Sequence, residues 1–180
     1  MILLASASPT RARILKEHSI KFIQKATSAD EESIFIQNPK SFVYFATKLK
    51  MKHALEDFGA DNNILCADTV VTAQNKILRK ASNIDDARKI LNIQSGNRTS
   101  IITCMVYHSK ELEFLDLSTT VYEFSKFDKT DLEKFLESGE WRGKAGACMV
   151  EGFCKPYIKS VHGYESCAMG LTIEKLKPFL

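Results

Sequence analysis

The apolar positions of the chain fall into short runs whose spacing predicts the elements. "ILLAS" (2–6) is a compact apolar run suited to a buried strand. Ser8 and Pro9 follow as N-cap and first helical residue, opening a helix through about Lys16. "KFIQKA" (21–26) alternates as a strand does. Pro39 and Ser41 open a long helix that runs to about Phe58 and ends at Gly59. "NNILCADTVVTA" holds one strand or two short ones. Asn83 caps a helix through Ile93, closed by Gly96. "RTSIITCMVYH" and "LEFLDLSTTVYEF" are long β-branched and aromatic runs, predicted to pair antiparallel around Ser109-Lys110. A helix near Thr130–Glu137, a strand at 157–161 and a short terminal helix complete the chain.

This order predicts an α/β fold with a mixed sheet and flanking helices, in a single domain over residues 1–180. No linker or repeat divides it. With 180 residues and 44% hydrophobic content, the chain is long enough to bury its own core. A formal net charge of +3 gives no broad basic face for nonspecific nucleic-acid binding. No apolar run approaches the roughly 18 residues that span a bilayer, and "MILLASASPTRARIL" lacks the layout of a signal peptide. The five cysteines (66, 104, 148, 154 and 167) form no C-x-x-C pair. They read as buried or free thiols of a cytoplasmic protein, not as a disulfide framework or zinc site. "NRT" (97–99) matches the glycosylation pattern and is read as chance.

Four features carry chemistry. "ASASPTRAR" brings small residues off a strand into a helix N-terminus, where unpaired N–H groups suit an anion and Ser6, Ser8, Arg11 and Arg13 add donors and charge. An ordinary capped helix with solvated arginines fits the same stretch. It is not a Walker A loop. "SADEE" (28–32) clusters carboxylates, either as ligands for a hard divalent cation or as a solvated loop. In the helix over 41–58, Phe42, Phe45, Ala46, Leu49 and His53 share one face at 100° per residue. Lys50 falls on the flank of that face, either as a snorkelling side chain or as a fixed cation, and Lys48 falls on the polar side. In "CADTVV" (66–71), Asp68 interrupts an apolar strand. Burying an unpaired carboxylate costs several kcal/mol. The expectation is therefore a strand end, a cleft or a metal, with a turn-capping aspartate as the plainer reading.

These residues carry a resemblance. "LLASASP.R", "S..DE", the helix with Lys50, "ADTVV", the Leu78 and Lys80 of "L.K", "DDARKIL...SG" (85–96), "SGE" (138–140) and "KAGA..VEG" (144–152) occur in an order that resembles the Maf family of nucleoside triphosphate pyrophosphatases, also known as septum-formation inhibitor proteins. The resemblance runs nearly end to end. It implies an elongated inosine triphosphatase-like fold with two lobes around a central cleft. It further implies hydrolysis of the α–β phosphate link to a monophosphate and pyrophosphate, with Mg²⁺ or Mn²⁺.

By matching position, Asp68 is implied as catalytic base and, with Glu31, as metal ligand. Lys50 and Lys80 are implied as catalytic cations, and Ser8, Arg11, Thr69 and Glu151 as substrate contacts. The expected partner is a nucleoside triphosphate, with no nucleic acid and no membrane, and a homodimer is left open. The motif form "ADTVV" points to dTTP or UTP, while Glu151, in place of the glutamine of pyrimidine-preferring members, points to 7-methyl-GTP. Thr10, Ala81 and "SCAMGLT" (166–172) also depart from the usual pattern. Two other readings stay open: a non-catalytic nucleotide-binding regulator of septum formation, and a phosphatase that releases orthophosphate.

Overall fold

The computed structural model describes residues 1–27 and 34–180. Among the described residues its sheet has seven strands. In chain order these are β1 (Ile2–Leu4), β2 (Phe22–Gln24), β3 (Ile64–Ala73), β4 (Lys76–Leu78), β5 (Arg98–His108), β6 (Glu113–Phe124) and β7 (Ile158–His162). The helices are α1 (Pro9–Glu17), α2 (Pro39–Phe58), α3 (Ile84–Gln94), α4 (Lys129–Ser138), α5 (Glu165–Ala168) and α6 (Ile173–Leu176). The spatial order is β2-β1-β3-β5-β6-β7, with β4 on β3. β1 pairs parallel with β2 and β3, whereas β4 pairs antiparallel with β3 and β7 with β6. The α/β class with a mixed sheet is what the sequence predicts. No described helix is long and apolar enough to cross a membrane.

The helix boundaries follow from their caps. Ser8 Oγ accepts from the Arg11 N–H, Asn38 Oδ1 from the Ser41 N–H and Asn83 Oδ1 from the Asp86 N–H, each satisfying a donor that the first turn leaves open. Asn97 is also engaged, its Nδ2 donating to the Ile93 and Ser95 carbonyls at the end of α3. β3 is a single strand of ten residues. Gln74 and Asn75, both at positive φ, turn it into β4, a strand the sequence reading missed.

The chain divides into two compact units, Met1–Thr69 with Ile102–Thr119 and Tyr164–Leu180, and Val70–Ile101 with Thr120–Gly163. In the first, strand alternation sends Leu65 and Ala67 to one face, against Ile14 and Leu15 of α1 and Leu171 and Ile173 near the C-terminus. Ile64 and Cys66 leave the other face and pack on Met51 and Ala54 of α2. In the second, Arg88 of α3 grips Glu133 of α4 through two hydrogen bonds of 3.1 and 2.8 Å. Phe127, Phe135, Phe153 and Tyr157 form an aromatic cluster there.

Two expectations are corrected. The inward face of α2 is lined by Phe42, Val43, Ala46, Thr47, Met51 and Ala54, so Phe42 and Ala46 of the expected face are buried while Phe45 is 51% exposed. The apolar pattern misleads because this face carries polar groups with buried partners. Thr47, for example, donates to the Val43 carbonyl at 2.7 Å. The second correction concerns the thiols: Cys148 and Cys154 form a disulfide across six positions, while Cys66, Cys104 and Cys167 are buried outside it. Turns in this stretch, with Gly146 and Ala147 at positive φ and Gly152 N–H bonded to the Met149 carbonyl, fold the chain back far enough for the two sulfurs to meet. The cysteine count therefore gives no argument for a reducing compartment.

Gly146 explains the "KAGA" motif. Its N–H donates to the Leu78 and Arg79 carbonyls, and its own carbonyl accepts from Gln94 Nε2 at 2.7 Å. A Cβ on it would stand 2.9 Å from Val71 Cγ1, at a φ of +67°. Gly146→Ala is expected to lower stability by about 1–3 kcal/mol through contact and backbone strain together. Urea unfolding would measure it. Val71→Ala in the same chain should recover only the contact part, because the positive φ remains.

Candidate functional site

Asp68 lies in the middle of β3, neither at a strand end nor in a turn, and is 7% exposed. Its burial is answered by α2. Lys50 Nζ sits 2.8 Å from Asp68 Oδ1, with the two side chains 13% and 10% exposed. Removing charges from water costs several kcal/mol per ion, and close pairing with a hydrogen bond offsets it. Lys50 therefore does not snorkel to water but is held against Asp68. Two residues away, Lys48 pairs with Glu113 at the surface. Cys66, two residues before Asp68 on the same strand face, is not a thiolate: burial pushes its thiol up to about 12, against the lowering pull of Lys50 and Arg11.

Thr69 points to the opposite face, where Arg11 meets it. Arg11, only 9% exposed, donates from Nε to the Gly170 carbonyl at 2.8 Å, from Nη1 to Ser6 Oγ at 3.0 Å and from Nη2 to Thr69 Oγ1 at 3.2 Å. Ser6 Oγ also accepts from the Ser8 N–H at 3.2 Å, and Gln24 Nε2 donates to the Ser6 and Ser8 carbonyls. The first loop is therefore held by hydrogen bonds from three directions. Arg11 is not the solvated arginine of the plainer reading.

The first unit gathers Ser8, Arg11, Lys50, Asp68 and Thr69. The second unit carries Lys80 and Glu151. Lys80 is exposed and forms an isolated bridge with Ala145 of the "KAGA" loop. Glu151 is exposed in the loop closed by the Cys148–Cys154 disulfide. Glu31 lies outside the described residues. Among the described residues no three His, Cys, Asp or Glu side chains group as a metal site. Sequence reasoning missed Thr103 and Gly170, both in contact with this constellation.

The whole chain, residues 1–180, matches the family model described as Maf-like protein. The chain belongs to the Maf family. Its relatives in that family include a protein of a Nitratiruptor species, 53% identical over 178 residues, covering 98% of this chain and 96% of the relative. A protein of Helicobacter pylori is 44% identical over 175 residues, covering 97% and 92%. One of Campylobacter jejuni is 34% identical over 183 residues, covering both chains in full. All three carry the name nucleoside triphosphate pyrophosphatase. The Maf motifs of this chain map onto the geometry directly: "ASASP" is the loop held by Arg11, "ADT" is the polar interruption in mid-strand and "KAGA" is the bridge to Lys80.

The two neighbouring lysines of α2 give a paired test. Lys50→Met keeps the stem and removes the charge facing Asp68, and is expected to cost about 2 kcal/mol or more. Lys48→Met removes an exposed pair and should stay within about 1 kcal/mol. Equal shifts of the urea midpoint would show that the Lys50–Asp68 contact has no special weight.

Proposed function

We propose that this chain hydrolyses nucleoside triphosphates at the α–β link. A water oxygen attacks the α-phosphorus, the bond to the bridging oxygen breaks, and pyrophosphate leaves the nucleoside monophosphate. The observation that carries the reading is the Asp68 carboxylate, held mid-strand 2.8 Å from the Lys50 ammonium. Apolar residues would fill that place more cheaply, so a charged pair there calls for a chemical use. The name shared by relatives across nearly their full length supports the same activity.

In this reading Asp68 accepts the proton of the attacking water. Lys50 and Lys80 place positive charge against the phosphate oxygens. Ser8 and Arg11 serve the phosphate side, and Thr69 serves it through Arg11. Asp68 and Glu31 are assigned to a divalent cation, Mg²⁺ or Mn²⁺. The donor chemistry fits, since such ions take hard oxygen ligands and commonly combine one or two carboxylates with substrate phosphates. When bound, the ion would neutralise charge on the triphosphate. The proposed setting is cytoplasmic nucleotide-pool sanitation, with a link to cell-division arrest.

For the base, the proposal is dTTP or UTP, with 7-methyl-GTP as the competing substrate. An ionised Glu151 only accepts hydrogen bonds, whereas glutamine both donates and accepts. Uracil and thymine present an N–H between two carbonyls and match the mixed edge of glutamine. The cationic 7-methylguanine favours a carboxylate.

Two outcomes are expected. With Mg²⁺ or Mn²⁺ the protein should release pyrophosphate from UTP or dTTP, and Asp68→Asn should lower kcat by about 10² or more. Orthophosphate as first product would overturn the reading, and near-normal turnover of the variant would remove Asp68 from the chemistry. Glu151→Gln, assayed with UTP and 7-methyl-GTP beside the wild type, should move the preference toward UTP by roughly tenfold or more. An unchanged ratio would mean that this side chain does not read the base.

A further inference from the structure

Thr103 of β5 is fully buried. Its Oγ1 lies 2.7 Å from the Cys167 carbonyl and 2.9 Å from Thr69 Oγ1. The direction of each proton follows from the partners. A carbonyl accepts only, so Thr103 gives its single hydroxyl proton to Cys167. A guanidinium donates only, so Thr69 Oγ1 accepts from Arg11 Nη2 at 3.2 Å. The proton of Thr69 then goes to Thr103. The result is one directed line, Arg11 to Thr69 to Thr103 to the Cys167 carbonyl, in which no hydroxyl is left to choose its partner.

The line ends on backbone at both sides of the C-terminal turn. The Cys167 carbonyl accepts from Thr103 and the Gly170 carbonyl accepts from Arg11 Nε. Gly170 is fitted to this approach. A Cβ on it would stand 3.3 Å from both Arg11 Nε and Thr69 Oγ1, at a φ of +99°. Thr69 is the residue after Asp68 on β3 with its side chain on the opposite face, so the line bears on Asp68 through the stretch of strand the two residues share.

We infer that Thr103 is a positioning residue of the Asp68 site, acting through Thr69 on Arg11 and on the strand that carries Asp68. This rests on the pyrophosphatase reading above. Without the Thr103 hydroxyl, the Cys167 carbonyl keeps the Gly170 N–H but loses its bond to β5, and the Thr69 proton loses its acceptor. Thr69 is then free to turn, and Arg11 loses a fixed acceptor while keeping its bonds to Ser6 and Gly170. The expected loss is in placement of the reacting groups, which reads in kcat, more than in affinity for the triphosphate.

The experiment compares wild type, Thr103→Val and Thr103→Ser, with kcat and KM measured on UTP at a temperature where near-ultraviolet circular dichroism shows each protein folded. Thr103→Val is isosteric and lacks the hydroxyl. Its kcat should fall about tenfold or more while KM stays within about threefold. Thr103→Ser restores the donor and acceptor and should stay within about threefold of wild type. The double variant Thr69→Val/Thr103→Val should lose no more than its worse single parent, since both break one line. Should Thr103→Val not fold, Thr103→Cys, a weak donor of similar size, takes its place, with a smaller fall in kcat expected. Normal kcat in the folded variant, a serine variant as poor as the valine, or additive losses in the double variant would each overturn the inference alone. A wild-type protein that releases no pyrophosphate from any triphosphate would overturn the reading beneath it as well.

Discussion

A carboxylate in the middle of a buried strand has to be met by a cation, and much of the first unit is arranged so that one arrives. Asp68 fixes which side of α2 must face the sheet, because Lys50 has to reach it at 2.8 Å. That choice turns Val43, Ala46, Met51 and Ala54 inward and leaves Phe45 largely in water. The helix thereby exposes a large apolar ring in order to bury an ammonium. Such an arrangement is costly for stability taken alone, and it is intelligible where a site requires the charge.

The same conflict decides how far the sequence could be read. Elements with strong punctuation were legible: Ser8-Pro9, Asn83 and the two long β-branched runs mark their helices and strands with little error. The face of α2 was not, because apolar periodicity counts Phe45 as inward and cannot foresee that Thr47 and Lys50 have partners on the strands beneath the helix. The place of Asp68 was half legible. The sequence marked it as anomalous, but the answer, a lysine eighteen positions earlier, needed the fold. Thr103 left no trace. A threonine in "SIITCMVYH" is good strand material, and nothing local separates a hydroxyl that packs from one that carries a directed hydrogen bond. The Cys148–Cys154 pairing was hidden for a similar reason, since it depends on turns at Gly146, Ala147 and Gly152 and not on any recognised cysteine spacing.

The departure of "SCAMGLT" from the family's usual ending also takes on a meaning. Cys167 and Gly170 serve the Arg11–Thr69–Thr103 line through carbonyl oxygens, which every residue type possesses. The identity of the side chains at 167 and 170 therefore does not supply the acceptors of this line. Gly170 is constrained all the same, because the Arg11 guanidinium and the Thr69 hydroxyl occupy the space a side chain would enter. In the second unit the corresponding support is local, with the loop bearing Glu151 closed by a disulfide across six positions.

The hydrogen bond from Arg11 to Gly170 joins residues 159 positions apart. During synthesis the chain emerges N-terminus first, at about 5–20 residues per second, so Arg11 waits on the order of ten seconds or more for its acceptor to be made. The second unit, contained between positions 70 and 163, has all its residues before then. The Lys50–Asp68 pair can also form early. The first unit cannot close around its arginine until its segment 164–180 has been made. A nascent chain therefore holds a buried-to-be guanidinium without the Gly170 carbonyl until that residue emerges, and closure of the first loop around Arg11 is tied to its arrival.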